Sequence, residues 1–273
     1  MTRTRTPLVA LTVAGTDSGG AAGVAADLTT FAALGAHGTC AVTAVTAQDT
    51  TGVHRVVQLS AEDVQAQVDA VLGDLPVAAV KTGMLGTAQV ARVVTGLPAH
   101  LPLVVDPVLV ATSGAELGDE AVVAAYRDHV LARATVVTPN DDEARRLVGA
   151  GPDEAREDVA LALHALGPAV VLTGGDPGAA TCRDVVVDER GHVRVLEHPT
   201  VPTTGDHGTG CTFSAALAVH LGRGRPLVDA AAAAQSFVAA ALRRSAGWHL
   251  GRGHGPVAHT CPRDPYPRNP QES

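Results

Sequence analysis

Aromatic residues are scarce in this chain, at 2% of 273 residues: one Trp, two Tyr and three Phe. A core must therefore be built from Ala, Val and Leu, and the stacking platforms that bind single-stranded nucleic acid are not expected. Positive charge is also short. Twenty Lys and Arg against 28 Asp and Glu leave a net charge of −8, which argues against a nucleic-acid or anionic-membrane surface and leaves a small molecule as the expected partner. The cysteines, Cys40, Cys182, Cys211 and Cys261, form no CxxC pair, so neither a zinc site nor a disulfide framework is suggested and a reducing, cytoplasmic setting is expected. No apolar run is long enough to span a bilayer. The apolar run after Arg3 and Arg5 is broken by Gly15, Thr16 and Asp17, too early for a secretory signal. Neither GxGxxG nor GxxxxGK[ST] occurs, which sets aside a Rossmann dinucleotide fingerprint and a Walker-type phosphate loop.

What is present is an alternation of two periods. Near-continuous apolar runs at Leu8 to Val13, Thr39 to Val45, Val77 to Lys81, Leu103 to Asp106, Thr135 to Thr138 and Ala169 to Thr173 read as strands buried on both faces. Helical patterns separate them, as at Ala61 to Leu72, where Val64, Val68 and Val71 with Leu72 share a face, and at Asp119 to Ala132. Ser60 with Asp63, and Asn140 with Glu143, place an N-cap side chain ahead of an acidic first-turn residue. Two Ala-rich helices are expected at Cys211 to Leu221 and Pro226 to Arg244. The order predicts one α/β domain over residues 1–259 with a mostly parallel sheet, followed by a disordered tail at 260–273 rich in Pro and Arg.

Three segments carry candidate chemistry. His207-Gly208-Thr209-Gly210-Cys211-Thr212 precedes a strong helical pattern, so successive N–H groups at a helix start can converge on an anion. Cys211 at that start is expected to gain thiolate character from the helix dipole; a Gly-rich turn capping a core helix with a buried Cys is the alternative. Gly15-Thr16-Asp17-Ser18-Gly19-Gly20 follows the first strand, where open α/β sheets bind ligands, although its glycines can equally serve only to turn the chain. Lys81-Thr82-Gly83-Met84, Asp106-Pro107 and Thr138-Pro139-Asn140 with Glu143 all follow strands. Together they can converge at one sheet edge, where Asp106, Asn140 and Glu143 can hold Mg²⁺ directly or through water; singly, each can be a cap or a turn residue. His249, His254 and His259 lie in a Gly-rich segment that suits a loop better than a metal helix.

In order, AGTDSGGAAG near the start, AVTAQDT at 44–50, KTGML at 81–85, VVDPV at 104–108, TPNDDEA at 138–144, HGTGCTFSAALA at 207–218 and GHGPVAH at 253–259 resemble the hydroxymethylpyrimidine/phosphomethylpyrimidine kinases of thiamine biosynthesis. The resemblance implies a ribokinase-like fold, a central mostly parallel sheet flanked by helices on both faces, commonly assembled as a homodimer. It implies ATP-dependent phosphorylation of 4-amino-5-hydroxymethyl-2-methylpyrimidine and then of its monophosphate.

Carried over by position, Asp27 and Gln48 match pyrimidine contacts; Gly15, Met84 and the Val45 to Thr46 segment match the pocket wall. The Gly208 to Cys211 backbone, with Gly210, matches the anion hole for the transferred phosphoryl group, and Cys211 stands where related sugar kinases carry a catalytic Asp. Asn140 and Thr209 are assigned to the nucleotide, and Asp106 and Glu143 to the metal. Three departures stand out: Thr173-Gly174-Gly175-Asp176 where relatives usually have Lys-Gly-Gly-His, Ala21 for a usual glycine at a position expected to need a positive φ, and Ala25 for a usual glutamine. If a substitute for the missing cation is needed, Lys81 and Arg183 are the candidates. These departures keep open a pyridoxal-type kinase on the same fold and a catalytically weak pyrimidine-binding protein.

Overall fold

The structure, a computed structural model, describes residues 6–111, 114–174 and 179–259. In chain order it comprises β1 (Val9–Ala14), α1 (Gly23–Ala33), β2 (His37–Val42), β3 (Ala44–Asp49), β4 (Gly52–Gln58), α2 (Ala61–Asp74), β5 (Val77–Thr82), α3 (Ala88–Thr95) and β6 (Leu103–Val105). It continues with α4 (Glu120–Ala125), β7 (Val136–Val137), α5 (Asp141–Val148), α6 (Arg156–His164), β8 (Ala169–Leu172), β9 (Thr181–Val187), β10 (Val193–Pro199), α7 (Thr209–Gly222) and α8 (Leu227–Ser245).

The eight-stranded sheet runs β10-β9-β8-β7-β6-β5-β1-β2. From β8 to β2 every pairing is parallel; β9 and β10 add an antiparallel edge. Strand residues alternate between two apolar layers because successive side chains leave opposite faces. Val80, Leu103, Val105, Val137 and Val170 pack with α2 to α6, while Ala79, Val104, Val136, Ala169 and Val171 pack with α7 and α8. Burial on both faces is why these strands read as continuous apolar runs rather than as alternating ones.

Two expected elements divide. The run expected as one strand from Thr39 to Val45 becomes β2 in the main sheet and β3 in a separate two-stranded sheet with β4. The break falls at Thr43, whose N–H returns to Ala14 while its carbonyl accepts Leu59 N–H and its hydroxyl donates to the Met84 carbonyl at 2.6 Å. The helix expected from Asp119 to Ala132 is α-helical only to Ala125, continuing as a π-helical turn (Tyr126–Val130) and a 3₁₀ turn (Leu131–Arg133). The widened turn accompanies complete burial of Tyr126, whose hydroxyl donates to the Gly83 carbonyl. Both expected caps are present: Ser60 Oγ accepts Asp63 N–H, and Asn140 with Glu143 forms a reciprocal capping box.

β1 lies between β2 and β5, so successive connections leave it in opposite directions. This switch of direction opens a crevice at the carboxyl ends of β1 and β5, the usual ligand position of open α/β sheets. Beneath the crevice lies a buried ion pair. Lys81, the chain's only lysine, ends β5 and places Nζ 2.8 and 2.9 Å from the two carboxylate oxygens of Asp27 on α1; Thr12 on β1 donates to the same carboxylate at 2.6 Å. Both ionic side chains are fully buried. Burial alone would lower the Lys81 pKa, but the Asp27 carboxylate reverses this and holds the ammonium protonated, its pKa raised above the usual lysine value.

The expectation that Asp27 contacts substrate is thereby corrected: its oxygens are engaged by Lys81 and Thr12, and it does not line the cleft. Asp27→Ala leaves an uncompensated buried ammonium, so it is expected to cost about 3–5 kcal/mol of stability, measured by urea denaturation.

Candidate active site

A cleft of about 390 Å³ extends from the crevice and collects most of the residues singled out from sequence: Gly15, Gln48, Met84, Asp106, Asn140, Glu143 and the run Gly208 to Cys211. Val45 and Thr46 are not among its lining residues. Val45 points outward at 49% exposure, because alternate residues of β3 face opposite sides, and Thr46 packs against the first loop with its hydroxyl on the Thr16 carbonyl. Ala25 is also absent from the lining.

The cleft is closed at one end by two helix starts. Neither α1, which follows Ala22, nor α7, which follows Gly208, has a side-chain cap on its first turn. On α1 the Gly23 N–H is taken by the Cys211 sulfur and the Val24 N–H by the Gly15 carbonyl, and on α7 the Thr209 N–H is taken by the Asp206 carbonyl. Among the described first-turn residues that line the cleft, the N–H groups of Gly210 and Cys211 are therefore the ones left to meet an anion, favoured further by the positive ends of both helix dipoles. The approach of the two is limited by glycine. A Cβ on Gly208, whose φ is +88°, would lie 1.8 Å from the Ala21 carbonyl oxygen, and one on Gly23 would lie 2.3 Å from the Gly15 carbonyl oxygen. Ala21, expected to strain the first loop, does not: no non-glycine among the described residues has a positive φ, and Ala21 is buried in an ordinary conformation.

Cys211 stands at the start of α7, and here the expected thiolate is corrected. Burial pushes its thiol up to about 12; the Asp106 and Asp27 carboxylates add to the rise, while Lys81 and the Gly23 N–H oppose it. The dipole argument omitted desolvation and this acidic floor, which together favour the neutral thiol. Asp106 accepts the Ser214 hydroxyl of α7 at 2.9 Å and lies 3.7 Å from Lys81 Nζ. Glu143 is held by the N–H groups of Asn140 at 3.1 Å and Leu109 at 3.3 Å, yet burial and the nearby Asp106 push its carboxyl up to about 8. Two buried carboxylates, both raised by burial and Glu143 also by Asp106, suit a hard divalent cation, which relieves the repulsion between them; water and phosphate oxygens would complete its shell.

Among the described residues, no Lys or Arg lines the cleft. Thr173 stands on its wall with hydroxyl and N–H both directed to the Pro139 carbonyl. Neither candidate substitute cation reaches it: Lys81 is committed to Asp27, and Arg183 is paired with Glu197 at the surface. Gly175, Asp176 and the tail at 260–273 lie outside the described residues. At the far end of the cleft, Asp184 accepts the Gln235 amide at 2.8 Å and Gly174 N–H at 3.1 Å, beside Cys182 and His198. Sequence reasoning passed over Asp184 and Gln235, since one sits within a strand and the other within an Ala-rich helix, with no motif around either. Asp17 and His207 were seen only as parts of their motifs. An Asp two residues before a pair of glycines was the available signal, because such a carboxylate commonly collects loop N–H groups.

The sequence pattern of the family described as Phosphomethylpyrimidine kinase matches residues 17–258. The chain belongs to this family. A hydroxymethylpyrimidine/phosphomethylpyrimidine kinase from Synechococcus elongatus is 46% identical over 93% of this chain and 98% of its own. Among solved structures, the pyridoxal kinase from Staphylococcus aureus in complex with AMP-PCP and pyridoxal superposes with a TM-score of 0.84 at 32% identity, covering 93% of this chain and 94% of that one. A phosphomethylpyrimidine kinase from Clostridium difficile gives 0.74 at 30% identity, covering 86% and 99%. The chain is thus a kinase of ribokinase-like fold. Gly208→Ala tests how its two helix starts are assembled: the added Cβ must separate α7 from the first loop, so kcat/KM is expected to fall by more than about 100-fold in steady-state kinetics.

Proposed function

We propose that this kinase transfers the terminal phosphoryl group of ATP to the hydroxymethyl group of 4-amino-5-hydroxymethyl-2-methylpyrimidine, and then to the phosphate of the resulting monophosphate. The observation that carries this reading is the position of Gln48: its side-chain amide, a paired donor and acceptor, lines the same cleft as the two uncapped helix starts. An aminopyrimidine edge resting on Gln48 beside Gly15 and Met84 leaves its hydroxymethyl group free to approach the N–H groups of Gly210 and Cys211. Those N–H groups would receive the charge of the phosphoryl group in transit. Cys211, a neutral thiol at rest, already holds its proton and lines the site, so the alcohol proton leaves on an oxygen of the phosphoryl group in transit.

Asn140 and Thr209 serve the nucleotide in this reading, and Asp106 with Glu143 holds Mg²⁺, which supplies charge neutralisation to the phosphates. A homodimer fits the exposed Val45, Val56 and Val57 on the β3–β4 hairpin, and residues up to 259 act as one domain. No helix among the described residues is long and apolar enough to cross a membrane. A pyridoxal-type activity is the second reading, favoured by the higher TM-score to a pyridoxal kinase.

A coupled assay of ATP consumption with the hydroxymethylpyrimidine and pyridoxal in parallel separates the two. The pyrimidine is expected to be turned over with the higher kcat/KM, and preference for pyridoxal, or turnover of neither, overturns the proposal. Gln48→Ala is expected to raise KM for the pyrimidine by at least about tenfold, since buried hydrogen bonds are worth roughly 1–3 kcal/mol, with little change in KM for ATP.

The metal assignment has a thermal test. The Glu143 carboxyl binds its proton more tightly in the folded chain, at about 8, than in an unfolded one at roughly 4.3, so its contribution to stability falls as pH rises across that window. A cation must displace this proton below pH 8 and need not above it. Mg²⁺ is therefore expected to raise Tm more at about pH 9 than at about pH 6, measured by differential scanning fluorimetry, and Glu143→Gln is expected to lose that difference.

A further inference from the structure

The ring of His207 stands between Gln48 and Asp17. Its Nε2 lies 3.2 Å from the amide nitrogen of Gln48 and 3.2 Å from Oδ2 of Asp17. An amide NH₂ has only hydrogens to offer and a carboxylate only lone pairs, so one ring nitrogen cannot satisfy both. Asp17 decides between them. Its Oδ1 accepts the N–H of Gly19 at 2.7 Å, its Oδ2 accepts those of Ala21 and Ala22 at 3.0 and 2.9 Å, and its side chain is 2% exposed. Burial alone would raise its pKa, but His207 and the N–H groups of Ala22 and Gly19 outweigh that and hold the carboxyl below its ordinary value. A fixed carboxylate requires a proton on the Nε2 that faces it, whether the ring is neutral or cationic.

That N–H is a poor neighbour for the Gln48 NH₂ and a good one for the Gln48 carbonyl oxygen. The other end of the amide leads to the same conclusion. Gln48 Oε1 lies 3.5 Å from the Thr46 hydroxyl, which donates its hydrogen to the Thr16 carbonyl at 2.7 Å and so has only lone pairs left for the amide. Half a turn about the last side-chain bond exchanges oxygen and nitrogen without altering the shape of the amide, and satisfies both ends.

We propose that Asp17, acting through His207, and Thr46 fix the hydrogen-bond polarity of Gln48, with its oxygen beside His207 and its NH₂ beside Thr46. The inference rests on Gln48 meeting the substrate ring, as in the proposed function. Gln48 then shows the ring an acceptor on the His207 side and a donor on the Thr46 side, in that order. A 4-aminopyrimidine answers with an exocyclic N–H donor beside a ring-nitrogen acceptor. The 4-oxo analogue, with a carbonyl beside a ring N–H, offers the reverse and is refused. Asp17, His207 and Thr46 are thus positioning residues that set substrate specificity without touching the phosphoryl group.

Two measurements test this. In the ligand-free protein labelled with ¹⁵N-histidine, His207 Nε2 is expected to give a protonated, pyrrole-type signal that moves toward the unprotonated position in Asp17→Asn, where the new amide can donate to the ring. An unprotonated Nε2 in the wild type overturns the proposal. In kinetics, the ratio of kcat/KM for the aminopyrimidine over its 4-oxo analogue is expected to fall at least about tenfold in Asp17→Asn and His207→Ala, while KM for ATP stays within about threefold. His207→Gln, which restores an N–H toward Asp17, is expected to recover the ratio.

An unchanged ratio in a folded His207→Ala protein overturns the proposal even if Asp17→Asn, which disturbs three loop N–H groups, fails to fold. Wild-type protein that phosphorylates neither pyrimidine defeats the proposed function instead, and the Nε2 signal then decides the arrangement of Asp17, His207 and Gln48 on its own.

Discussion

The buried pair between Lys81 and Asp27 is the interaction around which the cleft is organised. The chain has one lysine and commits it beneath the sheet switch point, where it joins the end of β5 to α1 and, through Thr12, to β1. The network continues from Lys81 to Asp106 after β6 and from Asp106 to Ser214 on α7. The strands β1 and β5, the helices α1 and α7 and the turn after β6 are therefore tied by one chain of polar contacts. Such a pair adds little net stability over well-packed apolar residues, since desolvation offsets most of the Coulombic gain. What it supplies is position: α1 and α7 start on the cleft without side-chain caps, and their shared floor keeps both N-termini aimed into it.

The electrostatics of the cleft follow from that floor. Its lower side is acidic, with Asp106 and Glu143 both raised by burial and each also by a neighbouring carboxylate, Asp27 for Asp106 and Asp106 for Glu143, and among the described residues no Lys or Arg lines it. Positive potential therefore comes from helix N-termini and from whatever cation the carboxylates hold. A phosphate bound there would meet backbone N–H groups first, which are preorganised and cost no side-chain ordering. The same acidic floor explains why the Cys211 thiol is pushed up despite its favourable place on a helix.

A second organising contact comes from the last described segment. The N–H groups of Arg252 and Gly253 donate to the Thr50 hydroxyl at the turn of the β3–β4 hairpin, and Gly251 and Gly253 approach Thr50 too closely for any side chain. Further along, His207 exchanges backbone bonds with Gly255 and Val257, and His259 bonds to the Thr212 hydroxyl. One strap thus binds the hairpin that carries Gln48 to the turn that starts α7, so these two parts of the cleft are held at a fixed separation. The Gly-rich spacing of His249, His254 and His259 reflects this strap.

The sequence by itself determined the layered architecture, because strands buried on both faces must be apolar at every position, and the caps at Ser60 and Asn140 announced their helices through local chemistry. It also located most of the cleft: Gly15, Met84, Asp106, Asn140, Glu143 and Gly208 to Cys211 follow strands or lie at a helix start, and a parallel sheet brings all such ends to one edge, whereas Gln48 reaches the cleft from within β3 of the separate hairpin. Only the tertiary structure decided the rest. Asp27 left the substrate list because a carboxylate fifteen residues along the chain from Thr12 and far from Lys81 finds both in space. Val45 turned outward because the strand broke at Thr43 and changed sheets. The thiol of Cys211 lost its expected charge because desolvation depends on what surrounds a group in three dimensions, and no local pattern records it. Asp17, His207 and Gln48 come from three separate segments, and whether their hydrogen bonds agree is a property of their meeting.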